Sequence, residues 1–157
     1  MEHKKAVYAG TFDPFTNGHR DVLGKALKVF DEITLLIAVS PTKKPFFKLE
    51  ERIDVLNKMF AGESKVKVDH WEGLMVDYAR QNKIGSIVRG LRPVGDFESE
   101  YQMAAMNHSL YPEVETVFFL TGSEVNYISS SLVKEIYGHG GDISKFVPTQ
   151  IMELFNK

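Results

Sequence analysis

KKAVYAGTFDPFTNGHRDVLGKALKVFDEITLLIAV, residues 4–39, is the stretch on which the fold turns. The apolar run Ala6–Ala9 reads as a strand. Val22, Leu23, Ala26, Leu27 and Phe30 recur at helical spacing, and Ile33–Val39 is a second β-branched run. A strand, a helix and a strand in that order predict a crossover joining two parallel strands. Between the first strand and the helix lies GTFDPFTNGH, residues 10–19, a turn of the kind where α/β proteins hold phosphate. It matches neither G-x-x-x-x-G-K-[ST] nor G-x-G-x-x-G, so its chemistry has to be read residue by residue.

The same alternation continues outward. Val66–His70, Ile84–Arg89 and Thr116–Leu120 read as further strands. Helical patterns start near Leu49 (with Ile53, Leu56 and Phe60) and near Leu74 (with Tyr78 and Ala79). Another covers Asp96–Leu110 through Phe97, Tyr101, Ala104, Ala105 and His108. Two more run Ser131–Tyr137, stopped at Gly138, and Pro148–Phe155, opened by its proline. The expected fold is α/β: a Rossmann-like, doubly wound, mainly five-stranded parallel sheet with helices on both faces, in one domain spanning residues 1–157. Ligands of such sheets bind beyond the carboxyl ends of the strands, where strand order reverses.

Composition narrows the function classes. The 157 residues carry 19 Lys and Arg against 21 Asp and Glu, a net charge of −2, which gives no support to a nucleic-acid or anionic-membrane role. There is no cysteine, hence no disulfide framework, thiolate metal site or thiol nucleophile. No apolar run approaches a membrane span and none reads as a signal segment, so a cytoplasmic enzyme with no membrane partner is expected.

The chemistry-bearing residues follow the strands. After the first come Thr11, Phe12 and Asp13-Pro14, then a helix start at which Thr16 or Asn17 can cap and His19 stands beside the dipole. His19 alone also fits a surface helix, and Asp13-Pro14 an ordinary turn. After the second come Lys43 and Lys44 between prolines; after the third, Leu74 and Met75 in an apolar opening. The fourth leads into Arg89, Gly90, Leu91 and Arg92, and arginines at the end of a buried strand suit bidentate contacts to phosphate. After the fifth, Val125, Asn126, Tyr127 and Ile128 precede Ser129, Ser130 and Ser131, more hydroxyls than capping needs. The set suits a polyphosphate. No spacing gives a Ser-His-Asp triad or a protein-held transition metal, so any metal is expected to be magnesium carried by nucleotide phosphates.

Thr16-Asn17-Gly18-His19 resembles the T/H-x-G-H motif of the nucleotidyltransferase superfamily, and Ile128–Lys134, ISSSLVK, its C-terminal signature. GTFDPFTNGH, SPTKKPFF, LEER, IVRGLRPVGDFESE, MN, ISSSLVKE and GDISKFVP resemble the bacterial phosphopantetheine adenylyltransferases in order and spacing, over nearly the whole chain. The resemblance implies transfer of AMP from ATP to 4′-phosphopantetheine with Mg2+, in a homohexamer built as a dimer of trimers. It implies His19, Lys43 and Arg92 as catalytic residues. An ATP site follows from Thr11, Phe12, His19, Gly90, Leu91, Arg92, Glu100 and residues 125–131. An acceptor site follows from Thr11, Lys43, Leu74, Met75 and Arg89. Gly18 would let nucleotide approach the helix. Ala9 and Ser99 depart from the family pattern, which has proline and an aromatic there. The alternatives are another adenylyl- or cytidylyltransferase of the superfamily, acting on nicotinamide mononucleotide or glycerol 3-phosphate, and a non-catalytic nucleotide-binding domain.

Overall fold

In a computed structural model that describes residues 3–93 and 95–157, eleven elements alternate along the chain. They are β1 (Lys5–Gly10), α1 (Asn17–Ala26), β2 (Glu32–Val39), α2 (Leu49–Met59), β3 (Val66–Glu72), α3 (Met75–Gln81), β4 (Ser86–Leu91), α4 (Phe97–Leu110), β5 (Glu115–Leu120), α5 (Ser130–Gly138) and α6 (Thr149–Phe155). All five strands pair in parallel, in the order β3-β2-β1-β4-β5. The Rossmann-like α/β expectation holds. Strand order reverses at β1, so the crevice between the carboxyl ends of β1 and β4 is the switch point.

Alternation along β1 assigns the faces. Ala6 and Tyr8 join one apolar cluster with Val22, Leu23, Leu56, Val133 and Ile151, which α1, α2, α5 and α6 supply. Val7 and Ala9 join the other, with Leu36, Val76, Ala79 and Ile87, under α3. A strand buried on both faces reads as a continuous apolar run, as β1 and β2 do.

Several boundaries shift from the sequence reading. β4 begins at Ser86 and runs to Leu91, so Gly90 and Leu91 lie on the strand rather than after it. α1 ends at Ala26, leaving Phe30 to reach the core from beyond the helix. The largest difference is α4, whose only buried residue is Asn107. Its apolar stripe faces away from its own sheet: Phe97, Tyr101, Met103, Met106 and Leu110 are all exposed.

Candidate active site

At the start of α1, Thr16 caps the helix by accepting from the His19 N–H at 3.4 Å, and His19 Nδ1 accepts from the Thr16 N–H at 2.9 Å. This is a capping box with histidine where glutamate or glutamine commonly sits. Nδ1 must be unprotonated to accept, so the neutral ring carries its proton on Nε2. Burial first, then the Arg89 and Arg92 charges, pushes the His19 pKa down to about 4. At neutral pH His19 is therefore an uncharged Nε2–H donor. Two aromatic contacts hold its ring: Phe12 edge-on at 5.1 Å and Phe15 tilted at 5.4 Å between centroids. Phe12 has φ of 46°, a left-handed conformation few non-glycine residues adopt, and such backbone strain clusters at functional sites. The residue is 2% exposed, and its ring braces His19 from the core.

His19 lines a cleft of about 260 Å³ at the switch point, together with Thr11, Gly18, Arg89, Gly90, Arg92, Glu100 and the start of α5. Arg89 is held by three hydrogen bonds to two partners. It donates to the Ala9 carbonyl at 2.8 Å and forks onto Glu100 at 2.8 and 2.6 Å, and the Glu100 hydrogen bonds raise its pKa. Arg92 forks onto Asp96 at 2.8 and 3.0 Å. The three serines divide their work. Ser129 caps α5 by accepting from Leu132 N, Ser130 donates to the Pro14 carbonyl at 2.8 Å, and Ser131 lines a neighbouring cavity. The amides of the first turn of α5 lie at that junction, where a helix dipole favours an anion.

Several of the expected site residues also serve the packing of the fold, and some lie off the cleft. Gly90 lines the cleft, but a Cβ there would come 2.8 Å from Val22 Cγ2, so the glycine also lets β4 lie against α1. A Cβ on Gly18 would meet the Val125 and Ile128 carbonyls at 3.5 and 3.7 Å, so its neighbour is the turn before α5. Of that turn, Ile128 reaches the cleft; Val125 and Asn126 do not, and Tyr127 lies over a separate apolar groove with Phe146. Leu91 turns its carbonyl to Thr121 N and Oγ1. Leu74 is exposed at the start of α3 and Met75 packs against the second core; neither lines the cleft or its neighbour.

The neighbouring cavity, also about 260 Å³, shares Thr11 with the cleft and holds Lys43, Lys44, Arg52, Ser131 and Lys134 around the buried Asp13. Lys43 and Arg89 thus line two different cavities that share Thr11. Arg52 is 4% exposed, donates to the Thr11 carbonyl at 2.8 Å and leaves its Nε without a partner. Sequence reading passed over Arg52, although it sits three residues after Leu49 and four before Leu56, on the apolar stripe of α2. It also passed over Asp13 as a turn residue and Lys134 as part of a motif. Among the described residues no group of three or more His, Cys, Asp or Glu side chains could hold a metal ion.

Residues 7–136 match the family model described as cytidylyltransferase-like. The chain is 45% identical over 147 residues to the phosphopantetheine adenylyltransferase of Heliobacterium modesticaldum, covering 94% of this chain and 88% of that protein. It superposes with a TM-score of 0.69 on a solved structure from Vibrio parahaemolyticus, a candidate nicotinate-nucleotide adenylyltransferase. That match covers 99% of this chain and 100% of the other at 17% identity, a likeness of fold alone.

Proposed function

The chain belongs to the phosphopantetheine adenylyltransferase family and is a nucleotidyltransferase that carries AMP from ATP to 4′-phosphopantetheine; we propose that it does so by direct in-line transfer through the two cavities that meet at Thr11. The products are dephospho-coenzyme A and pyrophosphate. An oxygen of the acceptor phosphate attacks the α-phosphorus, and the bond to the β-phosphate oxygen breaks with its electrons leaving on pyrophosphate. The second pKa of a phosphate monoester is about 6, so the nucleophile is already mostly dianionic near neutral pH and no side chain has to remove a proton.

The difficulty is bringing one polyanion to another, and the residues supply alignment and charge for it. Lys43 and Arg89 hold the acceptor phosphate from the two cavities that share Thr11, whose hydroxyl orients it. Arg92, the Ser129 hydroxyl and the amides at the start of α5 receive the pyrophosphate. His19 stands between and donates from Nε2 to the α-phosphoryl oxygens as charge builds there. The observation that carries this reading is the His19 Nδ1 bond to Thr16 N, which leaves the ring a single, oriented donor. Magnesium, when bound, would neutralise charge on the ATP phosphates. The two carboxylates that line the cleft, Glu100 and Asp96, are paired with Arg89 and Arg92, and the remaining hydroxyls, amides and cations are donors for phosphate oxygens. The exposed apolar stripe of α4 supports an interface with further copies of the chain, and a homohexamer is the assembly proposed. No helix among the described residues is long and apolar enough to cross a membrane. A cytoplasmic location is proposed from the biosynthetic reaction, not from that absence.

The test is pyrophosphate release from ATP and magnesium with 4′-phosphopantetheine and nicotinamide mononucleotide as competing acceptors. Release with the first alone is expected. Release with the mononucleotide would keep the transfer chemistry and replace the acceptor. Binding of ATP without turnover on either would make the chain a nucleotide-binding domain.

A further inference from the structure

We propose that Asp13 is a positioning residue for the acceptor phosphate, its buried carboxylate fixing the loop that carries Lys43; the inference rests on Lys43 holding that phosphate. The loop joins the end of β2 at Val39 to the start of α2 at Leu49. Residues 41–46 are exposed and lie outside any strand or helix. Among the described residues, only two hydrogen bonds tie residues 41–47 to another part of the fold, and both end on Asp13. Phe46 N donates to Oδ2 at 2.7 Å and Phe47 N to Oδ1 at 2.9 Å. Lys43 is three residues from the first of these donors, and Thr11 two residues from their acceptor. Asp13 therefore sets the distance between the two groups proposed to grip one phosphate.

A carboxylate suits this place for a chemical reason. Each of its oxygens accepts one amide, a pairing an asparagine cannot match, since its NH₂ would face one of the two N–H groups. At 5% exposure the charge needs compensation, and Lys134 Nζ supplies it at 3.3 Å from Oδ2. The ring of Phe47 adds a second hold by packing on Phe155 of α6 at 4.8 Å. Without the Asp13 bonds the lysine end of the loop would have to be ordered by the acceptor itself, and its binding would weaken accordingly.

The experiment separates the acceptor from ATP. For Asp13→Asn, initial rates with 4′-phosphopantetheine at saturating ATP should show the acceptor KM raised about tenfold, while ATP affinity measured by calorimetry stays within about twofold of wild type. Phe46→Pro removes one donor, keeps the carboxylate and changes a half-exposed side chain, so it tests the same point should the first variant fold poorly. A rise of about threefold in acceptor KM is expected there. Equal loss of acceptor and ATP binding, or no change in acceptor KM, would overturn the proposal. If wild-type protein fails to turn over 4′-phosphopantetheine, the functional reading fails instead, and that control is run first.

Discussion

On the α4 side of Thr11, both cations are arginines clamped by carboxylates, Arg89 by Glu100 and Arg92 by Asp96. On the side of the β2–α2 loop, Lys43 and Lys44 stand exposed, and Asp13 accepts mainly from backbone amides. The first side is pre-formed, with little net charge and guanidinium forks held in fixed planes. The second is electrostatically open, so its attraction reaches farther and is more easily screened. A transfer between two polyanions is served by both kinds: one aims, the other gathers.

The largest effect should come where the two sides meet. His19→Ala is expected to lower kcat on the order of 10²–10³-fold, as loss of one preorganised donor does, with ATP still bound and circular dichroism unchanged. Turnover near that of wild type would remove His19 from the chemistry and leave the two sides unconnected. Next is Glu100→Gln, which leaves Arg89 with a neutral partner. Because that pair is partly exposed, a rise of about tenfold in acceptor KM is expected rather than the larger losses of fully buried pairs. Lys44→Met, on the open side, should raise it only about two- to threefold, and equal effects would erase the distinction. Raising salt from about 0.05 to 0.5 M should weaken acceptor binding more in the Glu100→Gln variant than in wild type, since what remains is the screenable side.

The smallest expected effect is a titration that does not occur. With Nδ1 committed and the folded pKa near 4, the His19 Cε1 resonance should stay put from pH 8 to about pH 5. The sign for stability follows. Between the unfolded value near 6.5 and the folded value near 4, the unfolded chain binds the extra proton. Folding stability attributable to His19 is thus intact above that window and falls as pH drops through it. Thermal melts of wild type against His19→Gln, whose amide oxygen can still accept from Thr16 N, would measure the difference.

Much of this was legible in residue order. The apolar runs located every strand, and the rule that ligands sit beyond strand ends gathered Thr11, His19, Arg89, Arg92 and Ser129–Ser131 before any geometry was known. Strand order was not legible, because a parallel pairing depends on which crossover packs where. The polar residues that serve other residues were missed for a related reason. Asp13 accepts from Phe46 and Phe47, more than thirty positions away, and nothing local marks it off from a turn. Arg52 did leave a trace, a charge on an apolar stripe. The outward face of α4 could not be told from an inward one, since the same periodicity serves a sheet or a second chain.

The bond between Thr16 N and His19 Nδ1 has a consequence for protein engineering. One contact both closes the first turn of a helix and chooses which ring nitrogen is protonated. The two properties therefore cannot be tuned apart. Moving this chemistry onto another scaffold would require transplanting Thr16–His19 with its helix start, because the histidine grafted alone would arrive in either tautomer and aim at nothing.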